Sequence, residues 1–314
     1  MKALHGPVVC IGEAMVLVSP AGEEPLATAS TFELTMAGAE ANVARYLADL
    51  GTEASWLSSV GDDPLGERIL SSLMSVGVNT QGVARSADHP TGVFFKDPEP
   101  TGSRVFYYRS GSAFSRLTAE DIVGWPLEQA PWVHLSGVTP ALSAGCRQVT
   151  EAVLRRCRAA GVPVSFDVNY RPSLWSGRSA GAELLRFARQ ADVVFVGLDE
   201  AQDLWGFDTA AQVADELAGP GLVVVKDAGR SASEFATGPE GAVVTEVEAR
   251  NVFGIVDPVG AGDAFAAGYL SQLFRGCPSE GRLQMGHSVA AWTLATAHDF
   301  RPGHGPTVRP GTER

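Results

Sequence analysis

The residues best suited to chemistry in this chain are Asp257-Pro258-Val259-Gly260-Ala261-Gly262-Asp263-Ala264-Phe265. Gly260 and Gly262 permit a close backbone approach, and the small residues that follow (Ala264, Ala266, Ala267, Gly268) predict a helix starting there. Amides at a helix start, reinforced by the helix dipole, converge into an anion hole. Asp263 falls in the first turn of that helix. A carboxylate repels a resting phosphate, so it reads better as a base. It would take a proton from a hydroxyl while the amides of Gly260, Ala261, Gly262 and Asp263 hold charge on a moving phosphoryl group. The alternative is a surface acid that complements the dipole. Other nucleotide signatures do not occur. Gly61 to Gly66 has the span of a Walker loop, but Glu67 stands where Lys is required, and no G-x-G-x-x-G is present.

These residues need elements to position them. Residues 8–12, 131–136, 162–167, 193–196 and 222–226 are short apolar runs that read as strands covered on both faces. Glu13 interrupts the apolar stretch 8–18, which favours a first buried strand over a signal peptide. Residues 39–50, 64–76, 145–160, 180–190, 209–217 and 262–274 read as amphipathic helices. The alternation predicts an α/β fold with a central, mostly parallel sheet and helices on both faces. Residues 13–37 and 91–109 break the rhythm and read as strands without helices. Strands at 93–96 and 104–109 flank a loop at 97–103, which predicts a hairpin and a small β-sheet lid over a cleft. A single domain is expected over residues 1–300, with a loose tail at 301–314.

Composition narrows the partners. Lys plus Arg number 24 against 36 Asp plus Glu, a net charge of −12, which disfavours nucleic acid and anionic membranes as partners. No apolar run reaches the roughly 18 residues of a membrane helix. The four cysteines are scattered without C-x-x-C, which argues against a disulfide framework or structural metal and fits a cytoplasmic protein.

The segment ending at Asp263 resembles the second signature, D-T-x-G-A-G-D, of the PfkB (ribokinase-like) carbohydrate kinases, with Pro258 in place of Thr. Gly38-Ala39-Glu40-Ala41-Asn42 resembles the first signature, with Ala37 replacing the first Gly, and Gly61-Asp62-Asp63-Pro64-Leu65-Gly66 matches a further G-x-D-x-x-G run. The resemblance implies an ATP-dependent sugar kinase on a ribokinase-like fold, with Asp263 as base and Gly38, Ala39 and Asn42 at the sugar. It implies Mg²⁺ with the nucleotide, and a monovalent cation such as K⁺ near the second signature. The family's N-x-x-E maps onto Gly197-Leu198-Asp199-Glu200, leaving Glu200 to order Mg²⁺-bound water. Its nucleotide loop, K-x-G-x-x-G-A, maps onto residues 226–232, where Lys226, Gly229 and Ser231 are the candidates. His287 stands where the family often has an Asn near adenine; a plain helix histidine is the alternative. Pairing of lid sheets implies a homo-oligomer, with Phe94 among the apolar residues available for it.

Strand alternation places Val105, Tyr107 and Arg109 on one lid face. An Arg facing the cleft suits a substrate carboxylate, which its planar fork can grip; a salt bridge to an acidic neighbour is the alternative. Asn169 and Arg171 follow the strand that closes at Asp167, on the functional edge of an α/β sheet. Arg171 could bind the carboxylate or the phosphate, or be a surface residue before Pro172. The combination with His134-Leu135-Ser136-Gly137 resembles the family's 2-keto-3-deoxygluconate kinases. That implies contacts of Tyr107, Arg109, Asn169 and Arg171 with substrate and nucleotide, and of Asp299 with the substrate. The readings that compete are a kinase for a neutral ketose such as fructose, a kinase for the galacto epimer, and a non-catalytic sugar or nucleotide sensor.

Overall fold

Consecutive apolar side chains of each central strand feed opposite sides of one sheet. Val9 and Ile11 enter one buried cluster, Val8 and Cys10 the other, and Val194 and Val196 alternate likewise with Val193 and Phe195. The period of two in a strand therefore builds two cores from one apolar run. The computed structural model describes residues 5–99, 102–175, 179–238, 241–249, 259–296 and 299–303.

In chain order the strands are β1 (Val8–Ile11), β2 (Met15–Pro20), β3 (Phe32–Ala37), β4 (Ala54–Leu57), β5 (Ser59–Gly61), β6 (Ala84–Ser86), β7 (Val93–Glu99), β8 (Gly102–Tyr108), β9 (Val133–Ser136), β10 (Val164–Asp167), β11 (Val193–Gly197), β12 (Leu222–Asp227), β13 (Ser231–Gly238) and β14 (Gly241–Glu248). The α-helices are α1 (Ala39–Asp49), α2 (Pro64–Ser75), α3 (Val138–Leu142), α4 (Ala144–Ala160), α5 (Ala180–Ala188), α6 (Leu198–Trp205), α7 (Ala210–Glu216), α8 (Ala261–Phe274) and α9 (Ser279–Leu294). Among the described residues the large sheet runs β14-β13-β12-β11-β10-β9-β1-β4. It is parallel from β12 to β4, and β13 and β14 are antiparallel. Helices α4 and α5 cover one face, while α1, α2 and α8 cover the other. No helix among the described residues is long and apolar enough to cross a membrane, and all four cysteines are free thiols.

The lid is a second sheet, β3-β2-β7-β8, drawn from the two segments expected to supply it. One expectation needs correction. The hairpin ladder runs on through Asp97↔Arg104 and Pro98↔Ser103, so most of the expected 97–103 loop is strand. Phe94 packs with Met15, Leu17 and Ala37 on the cleft side, while alternation along β7 sends Phe95 to the outer face beside Tyr108. Asp257 and Pro258 of the glycine-turn segment and the tail from 304 lie outside the described residues.

The parallel strands end along one edge, and two features hold that edge together. Glu40, fully buried in the first turn of α1, accepts hydrogen bonds on Oε1 from the Ser136 amide (3.1 Å), the Ser136 hydroxyl (2.7 Å) and the Thr139 hydroxyl (3.1 Å). This ties α1 to the end of β9; burial pushes the Glu40 carboxyl above its ordinary value. Gly137 follows immediately. A Cβ there would lie 2.2 Å from the Val168 carbonyl oxygen, a clash of main chain with main chain. Gly137→Ala is expected to cost about 1–3 kcal/mol, as overpacking does. A lower urea midpoint at constant slope would show it, and an unchanged midpoint would contradict it.

Candidate active site

Asp263 sits at the third position of α8, buried, behind the cap residue Gly260, whose φ of 80° lies in the left-handed region that glycine favours. Two amides hold its carboxylate. Asn42 Nδ2, from α1, donates to Oδ2 at 3.0 Å, and Asn169 Nδ2, from the loop after β10, donates to Oδ1 at 3.3 Å. Asn42 Nδ2 also lies 3.5 Å from Asp299 Oδ2. Asn169 reaches its position through a φ of 39°, a conformation Asn tolerates better than most residues. Burial pushes the Asp263 carboxyl up to about 7; the Asn42 hydrogen bond and Arg171 oppose the rise, while Asp167 and Asp299 add to it. A carboxyl tuned to neutral pH is what proton abstraction from an alcohol requires. The Oδ1 atoms of Asn42 and Asn169 are buried without partners among the described residues, two acceptors that a substrate hydroxyl could answer.

Next to this group the ends of β10, β11 and β12 meet. Lys226 Nζ pairs with Asp167 Oδ2 at 2.8 Å. Burial alone would lower the ammonium, but Asp167, Glu200 and Asp263 hold it above the ordinary lysine value. A Cβ on Gly262 would lie 3.6 Å from Lys226 Nζ, so the ammonium stands beside the opening turn of α8. Amides at a helix start, a cation and no side chain between them fit the phosphates of a nucleotide. Glu200 accepts the Tyr170 amide on Oε1 (3.0 Å) and the Gly197 amide on Oε2 (2.9 Å), closing two loop ends that border the site. Burial pushes it up to about 7, with Lys226 opposing. With Gly197 where the family has Asn, Glu200 is first a loop tie; the remaining lone pairs of its oxygens are what a metal-bound water could use. Among the described residues no three His, Cys, Asp or Glu side chains form a metal cage. Mg²⁺ in general needs no such cage, since one or two carboxylates together with nucleotide phosphates and water suffice to hold it.

The lid faces this group across a cleft lined by Gly38, Ala39, Asn42, Tyr107, Arg109, Arg171, Gly260, Asp263 and Asp299, so most sugar-side candidates converge. Tyr107 stacks on Phe94 with ring centres 5.4 Å apart. Arg171 is half exposed; its Nη1 donates to the Tyr170 carbonyl and lies 3.8 Å from Glu200. Arg109 lines the cleft but is not free for a carboxylate on both edges of its fork. Its Nε (2.7 Å) and Nη2 both meet Glu13 Oε2, and the Ser112 hydroxyl donates to Glu13 Oε1. The salt bridge held open as an alternative is thus present, and its acidic partner is the residue that interrupts the first apolar stretch.

The nucleotide-side candidates are more dispersed. Asp227 to Arg230 form a tight turn in which Ala228, standing where the family has Gly, keeps a φ of 43°. Gly229 has open space at its Cα, and Ser231 begins β13. His287 does not line the cleft described above. Its Nε2 hydrogen-bonds with the Val247 carbonyl at 3.1 Å and its ring meets the Phe265 edge, a packing position between α9, α8 and β14. Asp167 and Glu13 were not singled out as site residues. Each is a lone acid at a strand end, and only the tertiary partner reveals it.

The model of the pfkB family carbohydrate kinases matches residues 7–299. A 2-dehydro-3-deoxygluconokinase of Bacillus subtilis is 37% identical over 297 residues, covering 93% of this chain and 90% of the relative. A 2-dehydro-3-deoxygalactonokinase of Haloferax volcanii is 33% identical over 294 residues, covering 90% of this chain and 89% of the relative. A fructokinase of Xylella fastidiosa, solved with bound ATP, superposes with a TM-score of 0.80 at 26% identity, covering 92% of each chain. An α/β core with a four-stranded lid, a buried aspartate at a glycine-capped helix start and a match over nearly the whole length agree: the chain belongs to the pfkB family of carbohydrate kinases.

Proposed function

We propose that this chain transfers the γ-phosphoryl group of ATP to the O6 hydroxyl of 2-keto-3-deoxygluconate, in the cytoplasm. The observation that carries the chemistry is the Asp263 carboxylate, buried at the start of α8 and held by Asn42 and Asn169. The 37% identity to a 2-dehydro-3-deoxygluconokinase supports the substrate class, and the ATP-bound fructokinase supports the phosphoryl donor. The relative named for the galacto epimer keeps that sugar acid as the second reading.

Asn42 and Asn169 aim both carboxylate oxygens and offer their own Oδ1 atoms to sugar hydroxyls. Asp263 takes the proton of the attacking hydroxyl. The amides of residues 260–263, with Lys226 beside Gly262, face the charge that develops on the phosphoryl oxygens. Mg²⁺, when bound, neutralises phosphate charge, and Glu200 would hold its water. A monovalent cation such as K⁺, when bound, would sit near the second signature. Tyr107 closes the sugar side from the lid, and Arg171 borders both substrates. The outer lid face, where Phe32 and Tyr108 are exposed, is the surface we assign to a second copy of the chain.

An ADP-release assay with ATP and Mg²⁺ tests the reading on 2-keto-3-deoxygluconate, its galacto epimer, fructose and ribose. Selective turnover of a keto-deoxy acid is expected; preference for a neutral sugar would overturn the substrate, and no turnover would overturn the kinase. In the same assay Asp263→Asn should lower kcat by at least about 10²-fold with little change in KM. Equal losses in kcat and in affinity would contradict the base role.

The Glu13 pair allows Arg109 a sharper test. Arg109→Lys keeps a cation for buried Glu13 but loses the planar fork. KM for the keto acid is expected to rise about tenfold, the equivalent of one charge-assisted hydrogen bond, while KM for fructose stays. An equal change for both sugars would make Arg109 a lid strut.

A further inference from the structure

A second cavity, of about 300 Å³, lies behind the lid between β3, α1, α2 and Phe300. It is lined by two arginines, Arg45 from α1 and Arg68 from α2, and by no Asp or Glu among the described residues. In a chain of net charge −12, a cavity with two cations and no carboxylate is a marked local reversal. The Arg45 guanidinium carbon lies 4.0 Å from the centre of the Phe300 ring. Its Nε is buried and has no acceptor among the described residues. Burial pushes Arg45 down to about 10, with Tyr46 and Asp299 opposing. A partly desolvated cation is costly without opposite charge close by, and an anion in the cavity offsets that cost. Arg68 is fixed at the rim: its Nη2 donates to the Leu34 carbonyl at 2.7 Å, leaving the other donors of its fork. Ser72, one turn along α2 from Arg68, adds a hydroxyl.

We propose that this cavity binds a small phosphomonoester, its phosphoryl group between Arg45 and Arg68 and its carbon body against Leu34, Met36 and Phe300. Two guanidinium groups match a dianionic, tetrahedral head better than a single carboxylate. The volume exceeds that of a bare ion and falls at the low end of small-molecule sites. The assignment does not depend on which sugar the cleft accepts.

Calorimetry with glycerol 3-phosphate tests it on the full chain, with glycerate as the carboxylate comparison. Binding is expected for the phosphate ester and to weaken about tenfold or more in Arg45→Met, which conserves volume, and in Arg68→Ala, which alters an exposed side chain. Arg171→Ala, which removes a half-exposed cation from the catalytic cleft, should leave that binding unchanged, which separates it from binding in that cleft. The proposal is overturned by no heat with ligand raised to about 10 mM, well above the Kd of a specific site. Unchanged affinity in both Arg45→Met and Arg68→Ala, loss of binding in Arg171→Ala, or glycerate binding as tightly as glycerol 3-phosphate would overturn it equally.

Discussion

Everything near the cleft depends on keeping one carboxylate, Asp263, buried at the positive end of a helix. Burial raises its proton affinity toward neutrality, and the helix start, Asn42 and Arg171 keep it from rising further. Neither asparagine comes from α8. One is on α1 and the other follows β10, so this carboxylate is aimed only when the two helices and the sheet edge are docked. Glu40, Gly137 and Glu200 serve that docking. Glu40 ties α1 to β9, Gly137 lets β9 approach the chain after β10, and Glu200 joins the loops after β10 and β11.

Charge is sorted around this centre. Three acids, Asp167, Glu200 and Asp263, surround Lys226, and the ammonium sits beside the amides of α8. A chain with a net charge of −12 thus presents a cation beside the start of α8. The Glu13–Arg109 pair is a separate unit with another task. Glu13 and Arg109 are 2% and 11% exposed at the side chain, so each holds the other in place between β1 and the end of β8. The pair joins the lid to the core, and the remaining edge of the Arg109 fork is what the sugar can meet.

Much of this was legible in the residues themselves. The apolar runs marked β1, β9, β10, β11 and β12 because strands buried on both faces need no alternation. Asp263 stands out by its place after a glycine turn and Asn169 by its place after a strand end, whereas Asn42 is marked only by the resemblance of residues 38–42 to the family's first signature. The tertiary pairings did not stand out. Asn42 and Asp263 are 221 positions apart and Glu13 and Arg109 are 96 apart, so no local pattern links them. Helix α9 has no apolar stripe to mark its bounds. Its contact with α8 is made where Gly286 meets Phe265 and Gly268 meets Met285, a close approach of small residues rather than an apolar stripe. The hairpin loop was drawn too long because Pro98 reads as a breaker; it sits opposite Ser103 near the end of the β7–β8 ladder.

The central claim is that Asp263 is a carboxyl poised near neutral pH by its burial and held by two amides. Titrating its side-chain carbon by ¹³C NMR, with Asp263→Asn to identify the signal, measures this directly. The account predicts a midpoint near 7, and a higher one in Asn42→Ala, because the lost hydrogen bond favoured the charged form. A midpoint near 4, the ordinary aspartate value, unchanged in Asn42→Ala, would contradict it.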